Sequence, residues 1–222
     1  MQQKEVIPEV AAREQELLEV VLQSASKDPE SVLQTIDNYC WTKNWMMHIG
    51  DQKGKVLEEA VAAAQPIKTA LEIGTYCGYS AVRVARLLPP GAKLIGIDPS
   101  EVPGKVAAPI LEHAGLRDRV ELLQGTASEV LPSLANQGVS FDLVLIDHDK
   151  TLYLPDLLLL EKLGLLHKGT VVVADNVGLF QINDYIDYVR QSGKYSSSTS
   201  YEATVEYDKE RADAVEVSVY AG

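Results

Sequence analysis

Residues that close short apolar runs carry the chemistry this sequence can do. Leu145-Ile146-Asp147-His148-Asp149-Lys150 ends one such run and Ala174-Asp175-Asn176 ends another. Asp147, Asp175 and Asn176 together offer hard oxygen ligands without any thiolate or imidazole, a set that suits Mg2+ better than Zn2+. Lys150 stands three residues after Asp147, so on a helical turn the two share a face. Beside a bound dication that lysine could act as a base. The competing reading of each acid is a helix cap or a solvated loop, and of the lysine an ordinary surface residue.

A second constellation is Glu72-Ile73-Gly74-Thr75-Tyr76-Cys77-Gly78-Tyr79-Ser80. Two glycines around a strand-to-helix turn let the backbone approach a ligand closely. The spacing is G-x-x-x-G, not G-x-G-x-x-G, and no G-K-[ST] follows, so a phosphate-cradling loop is disfavoured. A carboxylate at Glu72 would repel a pyrophosphate and suit an ammonium or sulfonium group. Asp98 closes the next apolar run, where an acid can accept both hydrogen bonds of a ribose diol; its alternative role is to cap the turn ahead of Pro99. A nucleoside with a cationic amino-acid part meets these demands, so S-adenosylmethionine fits better than NAD.

Strands must end where these residues stand. Residues 1–65 read as helices only, with Leu17, Leu18, Val21 and Leu22 forming an apolar stripe. Ser26 or Asp28 can cap a second helix with Pro29 in its first turn, and Asp51 a third after Gly50. From residue 66 onward short apolar runs alternate with helical segments: 69–73 then 79–88, 93–98 then a helix ending near Gly115, 120–123 then 128–135, 141–147 then 155–163, 170–174 then 181–191. Pro103 and Pro109 weaken the helical reading after the second run. This alternation predicts an α/β fold, a doubly wound and mostly parallel sheet. Runs near 199–206 and 214–220 follow one another without a helix and are expected to pair antiparallel at the edge. Ser196–Ser200 reads as a polar loop. The chain is read as a single domain, residues 1–222, with helices over the cleft.

Composition limits the partners. The 222 residues hold 20 Lys+Arg against 32 Asp+Glu, a net charge of −12. That sign opposes nucleic-acid backbones and anionic membranes, so neither is expected as a partner. Two cysteines, Cys40 and Cys77, are too few for a disulfide framework and point to a reducing, cytoplasmic setting. No apolar run near the start has the length of a signal-peptide core or a membrane span. A monomer is the expected state, with a weak homodimer as the alternative.

The motifs NWMMHIGDQKG, ALEIGTYCGYSAVRVARLLPPGAKL and LIDHDKTLYLPDLLLLEKLGLLHKGTVVVADNV, taken together, resemble the catechol O-methyltransferase family over about residues 31–220. The resemblance implies a Rossmann-like seven-stranded sheet and Mg2+-dependent methyl transfer from S-adenosylmethionine to one hydroxyl of a catechol-type substrate. It implies Asp147, Asp175 and Asn176 as metal ligands and Lys150 as the general base. Glu206 would hydrogen-bond the second hydroxyl. Met47, Ile49, Gly74, Tyr76, Ser80, Asp147 and His148 would surround the cofactor. Asp98 stands where the family has a ribose-binding glutamate, and Trp45 where it has an aromatic gatekeeper.

There are departures. Asp149 replaces a tryptophan that lines adenine and substrate, Ala127 and Ser128 replace a Ser-Gln pair near the adenine, and His48 replaces an asparagine. Phe180 and Asp208 replace a proline and a methionine of the substrate wall. The metal and base set is intact while the pocket walls differ. The substrate could therefore be another vicinal-diol phenolic, such as a hydroxycinnamoyl ester. An NAD-dependent oxidoreductase and a non-catalytic nucleoside-binding protein are the remaining alternatives.

Overall fold

The computed structural model describes residues 11–222; the beginning of the expected N-terminal helical part, residues 1–10, lies outside them. Three helices come first, α1 (Ala12–Ser24), α2 (Pro29–Thr42) and α3 (Gly50–Ala63). The Asp28 side chain accepts the Ser31 N–H at 3.0 Å, with Pro29 opening α2, as a helix start requires. Asp51 does not cap α3: Ile49 precedes the helix, and Asp51 lies in its first turn, where a negative charge still favours the dipole. Leu17, Leu18 and Val21 are buried, whereas Leu22 is exposed.

The remaining elements alternate: β1 (Thr69–Ile73), α4 (Tyr79–Ala85), β2 (Lys93–Asp98), α5 (Ala108–His113), β3 (Val120–Gln124), α6 (Ala127–Asn136), β4 (Phe141–Ile146), α7 (Tyr153–Lys162), β5 (Leu166–Ala174), α8 (Asn183–Gln191), β6 (Tyr195–Thr204) and β7 (Ala212–Tyr220). A π turn, Pro103–Ala107, leads into α5. Pro103 sits in the first turn of the π segment, where a missing N–H costs no helical hydrogen bond, whereas Pro109 lies where that segment runs directly into α5.

The seven strands form one sheet in the order β3-β2-β1-β4-β5-β7-β6. β7 runs antiparallel to both β5 and β6; the other pairs are parallel. The order reverses between β1 and β4, and at such a switch point a crevice opens at the carboxyl ends of the strands. Alternate strand residues serve two cores. Ala70, Leu94, Leu143 and Val173 face the layer of α1 to α5, with Ile36, Leu57 and Val82. Leu71, Ile97, Val144 and Val172 face α6 to α8, with Leu131, Leu157 and Val189.

The 196–200 segment is strand, not loop. Glu216 of β7 is fully buried and takes hydrogen bonds from Arg190 Nε (2.9 Å), Arg190 Nη2 (2.8 Å) and Ser198 Oγ (2.5 Å), with Ser200 also bound to it. Ser198 and Ser200 are thus partners of a buried carboxylate, which a hydropathy pattern cannot register. β5 likewise begins at Leu166 rather than residue 170. Among the described residues no helix is long and apolar enough to cross a membrane.

Candidate active site

β1 delivers the chain into a sharp turn before α4. Gly74 takes φ +96°, and a Cβ there would stand 2.1 Å from the Asp147 carbonyl oxygen. The end of β1 therefore lies against the end of β4 so closely that no side chain fits between them. Tyr76 follows at φ +47°, a left-handed conformation uncommon for a bulky residue. Asp98, at the end of β2, holds this turn: its Oδ2 accepts from Thr75 N (3.1 Å) and Tyr76 N (2.9 Å), and its Oδ1 from Ser100 N (2.8 Å). Asp98 thus caps the turn ahead of it and also faces the cavity described below. With the Thr75 and Tyr76 amides bound to a carboxylate, the turn does not present them to a phosphate.

Glu72 does not reach the cavity. It is fully buried beneath the turn with neither oxygen hydrogen-bonded, and burial pushes its pKa up to about 8. The expected attraction to a cationic ligand therefore has no direct contact with the cavity behind it. Ala127 is also outside the cavity. It opens α6 and packs in the core on that side of the sheet.

β4 and β5 lie side by side, so Asp147, Asp175 and Asn176 emerge at neighbouring positions. Lys150 Nζ donates to Asp147 Oδ1 at 2.8 Å and to Tyr153 OH at 2.7 Å. Asp175 is almost fully buried. Its Oδ2 accepts from Lys53 Nζ at 2.9 Å, while its Oδ1 is buried with no partner. Burial raises the Asp175 pKa, against the opposing pull of Lys53. Asn176 sits at φ +56° and donates its amide to Asp213 Oδ2 at 2.8 Å, which leaves its side-chain oxygen as the atom to ligate. Among the described residues no group of three or more His, Cys, Asp or Glu side chains could hold a metal ion. The set here has two carboxylates and an amide. Its orphaned Asp175 Oδ1, its oriented Asn176 and its all-oxygen chemistry fit a hard divalent cation.

Lys53 is a residue the sequence reading missed. Its side chain is fully buried, and Nζ contacts Asp175 Oδ2 (2.9 Å), Glu206 Oε2 (3.0 Å) and Asp213 Oδ2 (2.9 Å). Burial alone would lower its pKa, but the three carboxylates outweigh that and raise it. Asp213 moves the opposite way, its pKa lowered by Lys53 despite burial. A signal existed: Lys53 shares its helix face with Gly50, Gly54 and Leu57, all buried, and a lysine on an apolar face requires partners. Gly50 has a similar meaning, since a Cβ there would stand 2.8 Å from Glu206 Cβ.

These elements enclose a cavity of about 780 Å3, within the range of small-molecule sites. Met47, Ile49, Gly74, Tyr76, Ser80, Asp98, Asp147 and His148 line it, as do Trp45, Asp149, Lys150, Asn176, Phe180 and Glu206. Asp175, buried next to the lining residue Asn176, is not itself part of the lining. Phe180 (55% exposed), Met47 (52%) and Trp45 (45%) form an apolar rim. Trp45 Nε1 donates to the Glu206 carbonyl at 3.1 Å, and Lys150 Nζ lies 5.7 Å from the centre of the Phe180 ring. Asp149 lines the cavity but its Oδ1 caps the turn after it, accepting from Thr151 N and Oγ1. Asp208 does not line the cavity; it pairs with Arg211, which does.

At the other end His148 Nε2 lies 2.8 Å from Asp156 Oδ2, and its buried Nδ1 has no partner. His48 stacks on Tyr79 at 5.2 Å, and burial lowers its pKa to about 3, so it is neutral. Glu14 of α1, unforeseen, also lines the cavity: it accepts from Tyr76 OH at 2.5 Å and leaves its buried Oε2 unpaired. Burial pushes the Cys40 thiol up to about 12 and raises Cys77 too, which leaves neither suited to nucleophilic work.

Sheet order and cavity position define a Rossmann-like α/β protein with a small-molecule site at its switch point. The O-methyltransferase family profile matches residues 23–192. Catechol O-methyltransferase B of Danio rerio is 43% identical over 215 residues, covering 96% of this chain and 80% of that protein. Catechol O-methyltransferase of Mus musculus is 43% identical over 213 residues, covering 95% and 79%. Among solved structures, the O-methyltransferase from Bacillus cereus in complex with SAH superposes with a TM-score of 0.71 at 25% identity, covering 95% of this chain and 97% of that one. The chain belongs to the O-methyltransferase family.

Proposed function

We propose that this protein is a Mg2+-dependent enzyme that transfers the methyl group of S-adenosylmethionine to one hydroxyl of a catechol-type substrate. The observation that carries the reading is the corner where Lys150 Nζ meets Asp147 Oδ1 beside the unpartnered Asp175 Oδ1, in the same cavity as the glycine turn. The substrate class is supported by relatives that are named for catechols, and the cofactor by the Bacillus cereus structure that carries SAH.

The roles divide by position. Asp147, Asp175 and Asn176 would hold the cation, which when bound supplies a Lewis acid that acidifies a chelated hydroxyl. S-adenosylmethionine supplies an electrophilic methyl group on a sulfonium. Gly74 and Tyr76 form the turn against which its amino-acid part would rest, with Met47, Ile49, Ser80 and His148 around it. Asp98 would meet the ribose. Lys150 Nζ takes the proton from the reacting hydroxyl, and its contacts to Asp147 and Tyr153 keep it at the cavity floor. Glu206 accepts from the second hydroxyl. Trp45 and Phe180 flank the ring and exclude water, and Asp149 borders them. Holding the reactants close and aligned supplies much of the barrier reduction.

The apolar rim of Trp45, Met47 and Phe180 favours a second substrate reading, an elongated vicinal-diol phenolic such as a hydroxycinnamoyl ester, whose tail would cover it. The two free thiols, both buried, accord with a reducing, cytoplasmic setting, and the protein is proposed to act as a single-domain monomer. The test is a panel assay of labelled methyl transfer with Mg2+ present. Transfer to 3,4-dihydroxybenzoate and to caffeate esters, but not to the corresponding monophenols, is expected. Equal transfer to monophenols would overturn the diol reading.

A further inference from the structure

The chemistry proposed above leaves Lys53 without a task, since it does not line the cavity. Its ammonium nonetheless binds carboxylates from three places in the chain: Asp175 after β5, Glu206 in the β6–β7 turn and Asp213 in β7. Glu206 is the one of these that faces the cavity. Its Oε2 is held by Lys53 at 3.0 Å, and among the described residues no hydrogen bond is made to Oε1. A carboxylate tethered through one oxygen offers the other to a ligand in a fixed direction. The backbone of Glu206 is fixed as well, by Trp45 Nε1 on its carbonyl and by Gly50, whose missing side chain lets α3 close against it. Lys53 lies one turn further along that helix. Without the ammonium, Glu206 would face Asp175 and Asp213 with no counter-charge and would be driven from its place.

We propose that Lys53 is a positioning residue that sets which hydroxyl of the diol is methylated. By holding Glu206 Oε2 it leaves Oε1 as a fixed acceptor; the more acidic hydroxyl of an unsymmetrical diol is the better donor to it, so that hydroxyl is drawn to Glu206 and the other is presented to Lys150. The inference rests on the catechol reading. With the tether cut, the two orientations of an unsymmetrical diol become comparably accessible.

The test measures the ratio of the two monomethyl products of 3,4-dihydroxybenzoate for the wild type, Lys53→Met, Glu206→Gln and the double variant. The wild type is expected to favour one product, and Lys53→Met to move the ratio at least threefold toward equality. The double variant is expected to match Glu206→Gln within twofold, because the two residues act through one contact. Calorimetric affinity for S-adenosylmethionine should stay within twofold of wild type in Lys53→Met. If Lys53→Met does not fold, Lys53→Arg carries the test: it keeps the charge but shifts the tether, and its ratio should depart from wild type at least twofold. An unchanged ratio in the folded variant, additive effects in the double variant, or a general loss of cofactor affinity overturns the inference alone. A wild type without product bias also overturns it. A wild type that methylates no diol overturns the underlying reading and the inference with it.

Discussion

Replacing Glu72 by Gln should make the protein more stable, and by an amount that grows with pH. Glu72 is wholly buried under the glycine turn, and its pKa is raised from an ordinary 4.5 to about 8 by desolvation. For an acid whose pKa is higher folded than unfolded, stability is greatest below the unfolded value and is lost as pH rises through the folded one. Between pH 5 and pH 8 the unfolded chain holds Glu72 ionised while the folded chain resists ionisation. Proton linkage over that interval costs the wild type about 3 kcal/mol, an order-of-magnitude figure from the two pKa values. A glutamine cannot ionise, so Glu72→Gln escapes that loss. Urea unfolding of both proteins at pH 5 and at pH 8 checks this. The stability difference, variant minus wild type, should rise by about 3 kcal/mol between them. Other titrating groups cancel in the difference. A difference that does not change with pH would refute the buried neutral carboxyl and would return Glu72 to the role of a charged group near the cofactor.

Three further outcomes are expected. Gly74→Ala places a Cβ 2.1 Å from the Asp147 carbonyl, so the turn must move; calorimetry should show S-adenosylmethionine affinity falling about tenfold or more. Leu157→Ala opens a cavity at a fully buried position, and urea unfolding should lose about 2–5 kcal/mol while leaving cofactor affinity within twofold. Asp28→Ala removes the cap of α2 and should cost about 1 kcal/mol by the same method, without effect on transfer.

The doubly wound sheet was legible because its strands are buried on both faces and read as apolar runs between helical segments. The strand-end residues Asp147, Lys150 and Asp175 were legible for the same reason: in such a sheet the ends of the strands are where ligands bind. The edge was harder. Ser198 and Ser200 read as a loop because their partner, Glu216, is a long-range carboxylate that no local pattern displays. Lys53 escaped because its three partners follow it by more than a hundred residues, and Glu14 because its partner Tyr76 belongs to the turn it covers. Glu72 departs from its expected place for a subtler reason. Its position next to Gly74 suggested access to the ligand, but strand alternation turned it beneath the turn.

The most direct test of the account is methyl transfer to 3,4-dihydroxybenzoate by the wild type and by Lys150→Met, each with Mg2+ and with EDTA. The account predicts transfer by the wild type that disappears with EDTA. It also predicts a loss of about a hundredfold or more in kcat for Lys150→Met, with S-adenosylmethionine affinity by calorimetry within a few-fold of wild type. Transfer that survives EDTA, or that Lys150→Met carries out at the wild-type rate, would contradict it.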